Sequence, residues 1–103
     1  MFEIQADFCK AMGNPVRLQL LHVLRERPKT VSELCQELGL PQSNVSRQLG
    51  CLRKAGVVLS RRNGTGMVYQ IADEKIVEVC DLVRGILVEQ IQKQSKFIEE
   101  DRE

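Results

Sequence analysis

Seven consecutive positions carry most of the chemistry in this sequence. From Gln42 through Ser43, Asn44, Val45, Ser46 and Arg47 to Gln48, every residue but Val45 bears an amide, a hydroxyl or a guanidinium, and none bears a carboxylate. Amides can bond an adenine edge bidentately and a guanidinium can bond guanine. Serine hydroxyls and helix N-termini suit phosphate oxygens. An ordinary solvated helix face would mix Glu with Lys instead. A second cluster follows at Arg61, Arg62, Asn63, Gly64 and Thr65. Two guanidiniums leading into a flexible tip can lie along a sugar-phosphate backbone or reach into a minor groove. The other reactive groups are four thiols, Cys9, Cys35, Cys51 and Cys80, with no Cys-x-x-Cys pair among them.

The charge pattern agrees with these clusters although the total does not. The formal net charge is +1 over 103 residues, which taken alone argues against a polyanion binder. Between Leu38 and Ala72, however, there are five basic residues (Arg47, Arg53, Lys54, Arg61, Arg62) and no Asp or Glu. From Asp73 onward there are nine acids and five bases, and the first 37 residues hold five of each. Phosphate binding needs a basic face, not a basic total. No apolar stretch is long enough to span a membrane, and Met1-Phe2-Glu3 does not begin a signal peptide, so the expected location is cytoplasmic, with reduced thiols.

Turn and cap signals place these residues on elements. Residues 2–12 predict a helix with Phe2, Ala6, Cys9 and Met12 on one stripe. Asn14-Pro15 predicts an N-cap followed by a first-turn proline. The helix from 15 to about 26 is apolar on most sides and is expected to be buried. Thr30 and Glu33 match a capping box for a helix over 31–38, whose core positions are Val31, Leu34, Cys35 and Leu38; Gly39 ends it. After Leu40-Pro41 a helix from about 42 to 55 buries Val45, Leu49 and Leu52. Two helices joined by a tight glycine-containing turn form a helix-turn-helix. Val57–Arg62 and Met67–Ile71 predict a hairpin around Asn63–Gly66, with Val57, Leu59, Met67, Tyr69 and Ile71 inward. A long helix from about 73 to 97 carries Ile76, Val79, Cys80, Val83, Ile86, Leu87 and Ile91 on a broad face, and Glu99–Glu103 are expected to fray. The fold class is thus mainly α with a small β-hairpin, a winged helix-turn-helix in one domain over 1–103.

The order and spacing of these segments resemble the ArsR/SmtB family of winged-helix repressors. The matching stretches are Lys10–Leu18, Val31–Leu34, Gln42–Leu49 with Leu52–Gly56, and the hairpin from Arg61 to Ile71. Together they cover about residues 5–92. The resemblance implies a homodimer held by the first and last helices, binding double-stranded operator DNA and released by an effector. Pro41 departs from the pattern, because a serine often caps the second helix there. The family's zinc site would fall on Asp73, Lys75, Ile86 and Glu89, where both expected histidines are missing. Its thiolate segment becomes Glu33-Leu34-Cys35-Gln36-Glu37, with one cysteine of two. The thiol pair of its redox branch would fall on His22 and near Val88.

What remains for an effector is bottom-up. Cys9 and Cys80 sit on inward stripes of helices that should pack together, so they could bind arsenite or another soft thiophilic metal, or form a redox pair. The plain reading is that both are small core hydrophobes, as free cysteines commonly are; Cys35 has the spacing of a core residue. Cys51 lies beside the inner stripe of the second helix and is expected to be half-buried. No other cofactor is implied. The rival function is a winged-helix protein interaction module that does not bind DNA, which would usually carry acids on the second helix. An enzyme is not expected: no nucleotide-binding glycine loop occurs, and His22, the single histidine, is expected to be structural on a buried helix.

Overall fold

The computed structural model describes the backbone of residues 1–102 and the side chains of residues 1–94. Five helices and three strands follow in the order α1 (Phe2–Ala11), α2 (Pro15–Leu24), β1 (Lys29–Thr30), α3 (Val31–Leu38), α4 (Gln42–Lys54), β2 (Val58–Asn63), β3 (Gly66–Ile71) and α5 (Glu74–Arg102). The strands form an antiparallel sheet in the order β1-β3-β2. This is the expected winged helix-turn-helix, with one strand more than the sequence disclosed.

Local signals set the boundaries. The Asn14 side chain accepts from the Val16 and Arg17 amides, 2.9 and 3.2 Å away, and starts α2. The Thr30 hydroxyl accepts from the Glu33 amide while Glu33 accepts from the Thr30 amide, so the expected capping box is present. Gly39 stands at φ 65° and closes α3, a conformation open to glycine at little cost. Gly56, at φ 81°, closes α4; its amide donates to Arg53 and that of Val57 to Leu52, the paired bonds of a Schellman motif.

Leu20, Leu21 and Leu24 of α2, Leu34 of α3, Val45, Leu49 and Leu52 of α4, Val57, Val58 and Ile76 form the buried core. Sheet and helix-turn-helix are thereby locked together, and the outward side of α4 is left to solvent.

Several expectations change. The inward side of α1 is Phe8, Ala11 and, at its C-cap, Met12, all half-buried, whereas Phe2 is 85 % exposed and Cys9, expected inward, is exposed as well. On α2, Leu18 and His22 are exposed rather than buried, because that side of the helix faces a groove. The phase of β2 shifts by one, while Tyr69 and Ile71 of β3 pack against the core as expected. Val57 is buried as part of the α4 terminus, the strand begins at Val58, and Leu59 points outward. Lys29 opens a strand instead of only breaking a helix. Its side chain is buried, and its ammonium bonds Glu37 (2.7 and 2.9 Å) and Glu26 (3.2 Å). Those carboxylates raise its pKa, the hydrogen bond to Glu37 most, against the opposing effect of burial. The last helix continues to Arg102, past the expected end at 97. It takes in Glu99–Arg102, where fraying was expected; Glu103 lies outside the described residues. No helix among the described residues is long and apolar enough to cross a membrane.

Candidate nucleic-acid interface

The outward face of α4 is built as its sequence demands. Val45, Leu49 and Leu52 turn into the core and force Gln42, Ser43, Ser46 and Arg47 outward, where all four are exposed. Asn44 and Gln48, one turn apart, are half-buried and joined to each other: Gln48 Nε2 donates to Asn44 Oδ1 at 3.3 Å. Arg47 Nη2 donates to the same oxygen at 3.3 Å. Pro41 occupies the N-cap position and supplies no side-chain cap, so the first-turn amides of α4 are not closed off from a bound anion.

A residue the sequence reading overlooked sits behind this face. Arg17 of α2 donates from Nη1 to Gln48 Oε1 at 2.9 Å. Its Nε donates to the Ala11 carbonyl at 2.6 Å and its Nη2 to the Lys10 carbonyl at 3.5 Å. The contact with Gln48 spans 31 residues of sequence, and no local pattern encodes it.

The wing presents Arg61, Arg62, Asn63, Gly64 and Thr65, all exposed. Asn63 pairs with Gly66 across a two-residue turn in which only Gly64 has positive φ, the pattern of a type II′ hairpin. Successive strand residues alternate faces, so Arg61 and Arg62 address opposite sides of the ribbon. Among the described residues the ion pairs are Arg25–Asp81, Arg27–Glu33 and Lys29 with Glu26 and Glu37. All involve the head or α5. Arg47, Arg53, Lys54, Arg61 and Arg62 have no acidic partner there.

The thiols fall into three settings. Cys9 and Cys80 line the same groove, about 420 Å³, between α1, α2 and α5; Met12, Leu18, His22 and Val83 complete its mainly apolar wall. Burial pushes the Cys80 thiol up from its ordinary value, and Asp81 adds to this. Cys35 is half-buried against the core, as its spacing indicated. Cys51 is exposed on α4, not half-buried. Among the described residues no three His, Cys, Asp or Glu side chains converge on a metal position. The positions that resemblance assigned to ligands serve other ends. Asp73 accepts from the Lys75 amide at 2.9 Å at the start of α5, and Glu37 holds the Lys29 ammonium.

With this geometry in hand, three kinds of likeness converge. Residues 14–60 match the model of the bacterial regulatory protein, arsR family. The chain is 38 % identical over 103 residues to an uncharacterised HTH-type transcriptional regulator of Mycobacterium tuberculosis strain H37Rv, covering 99 % of this chain and 90 % of the relative. A crystal structure from M. tuberculosis, 39 % identical, superposes with a TM-score of 0.81 over 90 % of this chain and 94 % of its own. The biofilm growth-associated repressor of Xylella fastidiosa is 36 % identical over 85 residues, covering 82 % of this chain and 75 % of that protein. A homodimeric winged helix-turn-helix DNA-binding domain from Mycobacterium bovis, solved by NMR, matches with a TM-score of 0.78 at 31 % identity, over 85 % of this chain and 82 % of its own.

Proposed function

Since the chain belongs to the ArsR family of bacterial regulatory proteins and is a transcriptional regulator, we propose that it acts in the cytoplasm as a homodimeric repressor. It reads duplex operator DNA with α4 and the wing, and it lets go when a thiol-directed effector reaches the groove between α1, α2 and α5. The observation that carries the DNA reading is the distribution of ion pairs. Every acid that pairs does so away from 38–72, and the basic side chains of α4 and the wing are left for an external polyanion. In a dimer two such helices enter successive major grooves about one helical turn apart. Gln42, Ser43, Asn44, Ser46, Arg47 and Gln48 then meet base edges and phosphates. Arg61, Arg62, Asn63, Gly64 and Thr65 meet the flanking backbone.

The second copy is the partner that suits α1 and α5, whose large apolar side chains are otherwise left in water. The effector site rests on Cys9 and Cys80 facing one groove. Within one chain this groove offers two thiols and no third converging ligand among the described residues. Arsenite or a comparable soft metal, which takes about three thiolates, would need a donor from the second copy. A dithiol-modifying reagent would not. Anything that rotates α1 against α5 moves both recognition helices off register, and a coupling of about 1–3 kcal/mol suffices for a switch.

Fluorescence anisotropy against duplexes from the region upstream of the chain's own gene tests the first part. Expected is sequence-specific binding whose log affinity falls linearly with log salt; binding to no duplex would favour the protein interaction module. Titrating the complex with arsenite, cadmium, zinc and persulfide donors, in the original chain and in Cys9→Ser and Cys80→Ser, tests the second. Release that is the same in all three chains would remove the groove as the effector site.

A further inference from the structure

We infer that Arg17, a residue that does not itself lie on the DNA-facing surface, fixes the hydrogen-bonding polarity with which α4 reads a base. The inference rests on the DNA-binding role proposed above and specifies what kind of base edge that helix accepts.

The argument follows one chain of bonds. A guanidinium has five N–H donors and no acceptor. The atom of Gln48 facing Arg17 Nη1 at 2.9 Å must therefore be its carbonyl oxygen. Arg17 is held in this arrangement by its Nε, which donates to the Ala11 carbonyl at the end of α1 at 2.6 Å, with the exposed Nη2 contact to Lys10 at 3.5 Å adding little. With Oε1 held on that side, the amide plane of Gln48 directs Nε2 to the other, toward Asn44. A donor there requires the oxygen of Asn44 to face inward, and Arg47 Nη2, also a donor, requires the same. Both lone pairs of Asn44 Oδ1 are thereby taken.

The group left over on Asn44 is Nδ2. No hydrogen bond among the described residues uses it, and no buried side-chain nitrogen or oxygen there lacks a partner, so it is open to solvent. Asn44 is thus not the free amide that could bond adenine in both senses. It presents donors only. The base edge that fits offers an acceptor with no competing amino group, which is guanine through O6 and N7 or thymine through O4. Cytosine offers no acceptor there, and adenine offers only N7, beside an N–H2 that Asn44 has no free oxygen to accept.

Replacing the first link should change the last. In Arg17→Met the Gln48 amide loses the donor that orients it, both amides can flip, and discrimination at that base relaxes by about tenfold. Gln48→Glu goes further. A carboxylate still accepts from Arg17 but now presents an oxygen to Asn44, which must turn its Nδ2 inward and its Oδ1 outward. The preferred base then changes from guanine or thymine to adenine or cytosine. Arg17 keeps its hold on α1 in this variant, so the test survives even if Arg17→Met fails to fold.

The experiment is selection of bound duplexes from a randomised library by the full chain, by Arg17→Met and by Gln48→Glu. Thermal unfolding of each chain accompanies it. Expected is a guanine- or thymine-selecting position in the original chain that becomes indifferent in Arg17→Met and adenine- or cytosine-selecting in Gln48→Glu. A merely structural role for Arg17 would weaken all sequences alike and leave the enriched bases unchanged, and that result, or an unchanged base in Gln48→Glu, overturns the inference alone. If the original chain enriches no sequence, the DNA-binding proposal itself falls and takes this one with it.

Discussion

The region built from α2, α3, α4 and the sheet and the region built from α1 and α5 arrange their side chains in opposite ways. In the first, Leu34, Val45, Leu49, Leu52 and Val57 have no exposed surface at all, and α4 and the wing turn basic and polar side chains outward. In the second, α1 buries no residue, α5 buries only Ile76 among its described side chains, and Leu82, Ile86 and Ile91 stand 69, 55 and 65 % exposed. Large contiguous apolar faces of this kind mark interaction sites on soluble proteins. The difference teaches which partner each region awaits. The helix-turn-helix closes its own core within one chain and leaves basic side chains outside, uncompensated among the described residues. The α1–α5 region is incomplete within one chain and is directed at an apolar surface.

The largest expected effect comes from spoiling the incomplete region. Ile86→Asp places a charge on the exposed apolar face of α5 while touching none of the buried core. The variant should keep its helical circular dichroism, sediment as a monomer, and lose about 100-fold or more in operator affinity, because the two half-sites no longer act together. A dimer that survives the charge, with operator binding intact, would break the contrast between the two regions.

Next comes the complete region. Arg47→Ala removes an exposed guanidinium whose bond within the chain is to Asn44. Operator binding should weaken by about 1–3 kcal/mol per contact, with specificity relaxed at that base. The unfolding midpoint should hold, since a surface substitution of this sort is worth about 0.5 kcal/mol or less. Loss of stability equal to the loss of binding would mean that this face serves the fold rather than a duplex.

How much of this could be read from the sequence also divides by region. The helix-turn-helix was legible because its determinants are local. Asn14, the Thr30–Glu33 box and Gly39 act within four residues of themselves. The interior stripe Val45, Leu49, Leu52 follows from helical period alone. Contacts that depend on tertiary packing were not legible. Lys29 reads as a surface lysine until β3 pairs with it and Glu26 and Glu37 close over its ammonium. Arg17 reads as a solvated position on an apolar helix until α4 packs against α2. The phase of β2, unlike that of Tyr69 and Ile71 on β3, was missed for a related reason. Val57 and Val58 are adjacent and both buried, which no alternating strand allows, because the chain leaves its α4 terminus between them. In the other region Cys9 and Cys80 both line one groove, but Cys9 is exposed rather than inward, because periodicity alone does not tell which residues of α1 and α5 face the chain's own core.

A smaller effect tests how the helix-turn-helix is held to the wing. Thr30 both pairs with Val68 of β3 and caps α3. Thr30→Ala should cost about 1 kcal/mol of folding stability, read from thermal or denaturant unfolding, with the dimer intact. Its partner Glu33 adds a pH dependence. The hydrogen bond from Arg27, then that from the Thr30 backbone, hold its carboxyl below the usual value. A lowered pKa contributes stability above the unfolded value of about 4.3 that is lost as pH falls through the folded value. The gap in melting temperature between the original chain and Glu33→Gln should therefore narrow as the solution is taken from neutral pH to below that window. A constant gap would show that the carboxylate charge contributes nothing there.

The smallest effect has opposite signs in its two readouts. Gly50 lies inside α4, one turn beyond Ser46 and Arg47, and a Cβ placed on it would meet nothing within 4 Å. A glycine in a helix interior is about 0.5–1 kcal/mol less favourable than alanine, and nothing among the described residues requires it. The missing side chain is explained if the sugar-phosphate backbone approaches α4 at that turn. Gly50→Ala should then raise the unfolding free energy by about 0.5–1 kcal/mol and weaken operator binding at the same time. A variant that is more stable and binds as well would place the duplex further toward Gln42, on the first turn of the helix alone. A variant that is less stable would mean that the space above Gly50 is filled by the protein itself, and the two regions would no longer differ in what they leave open.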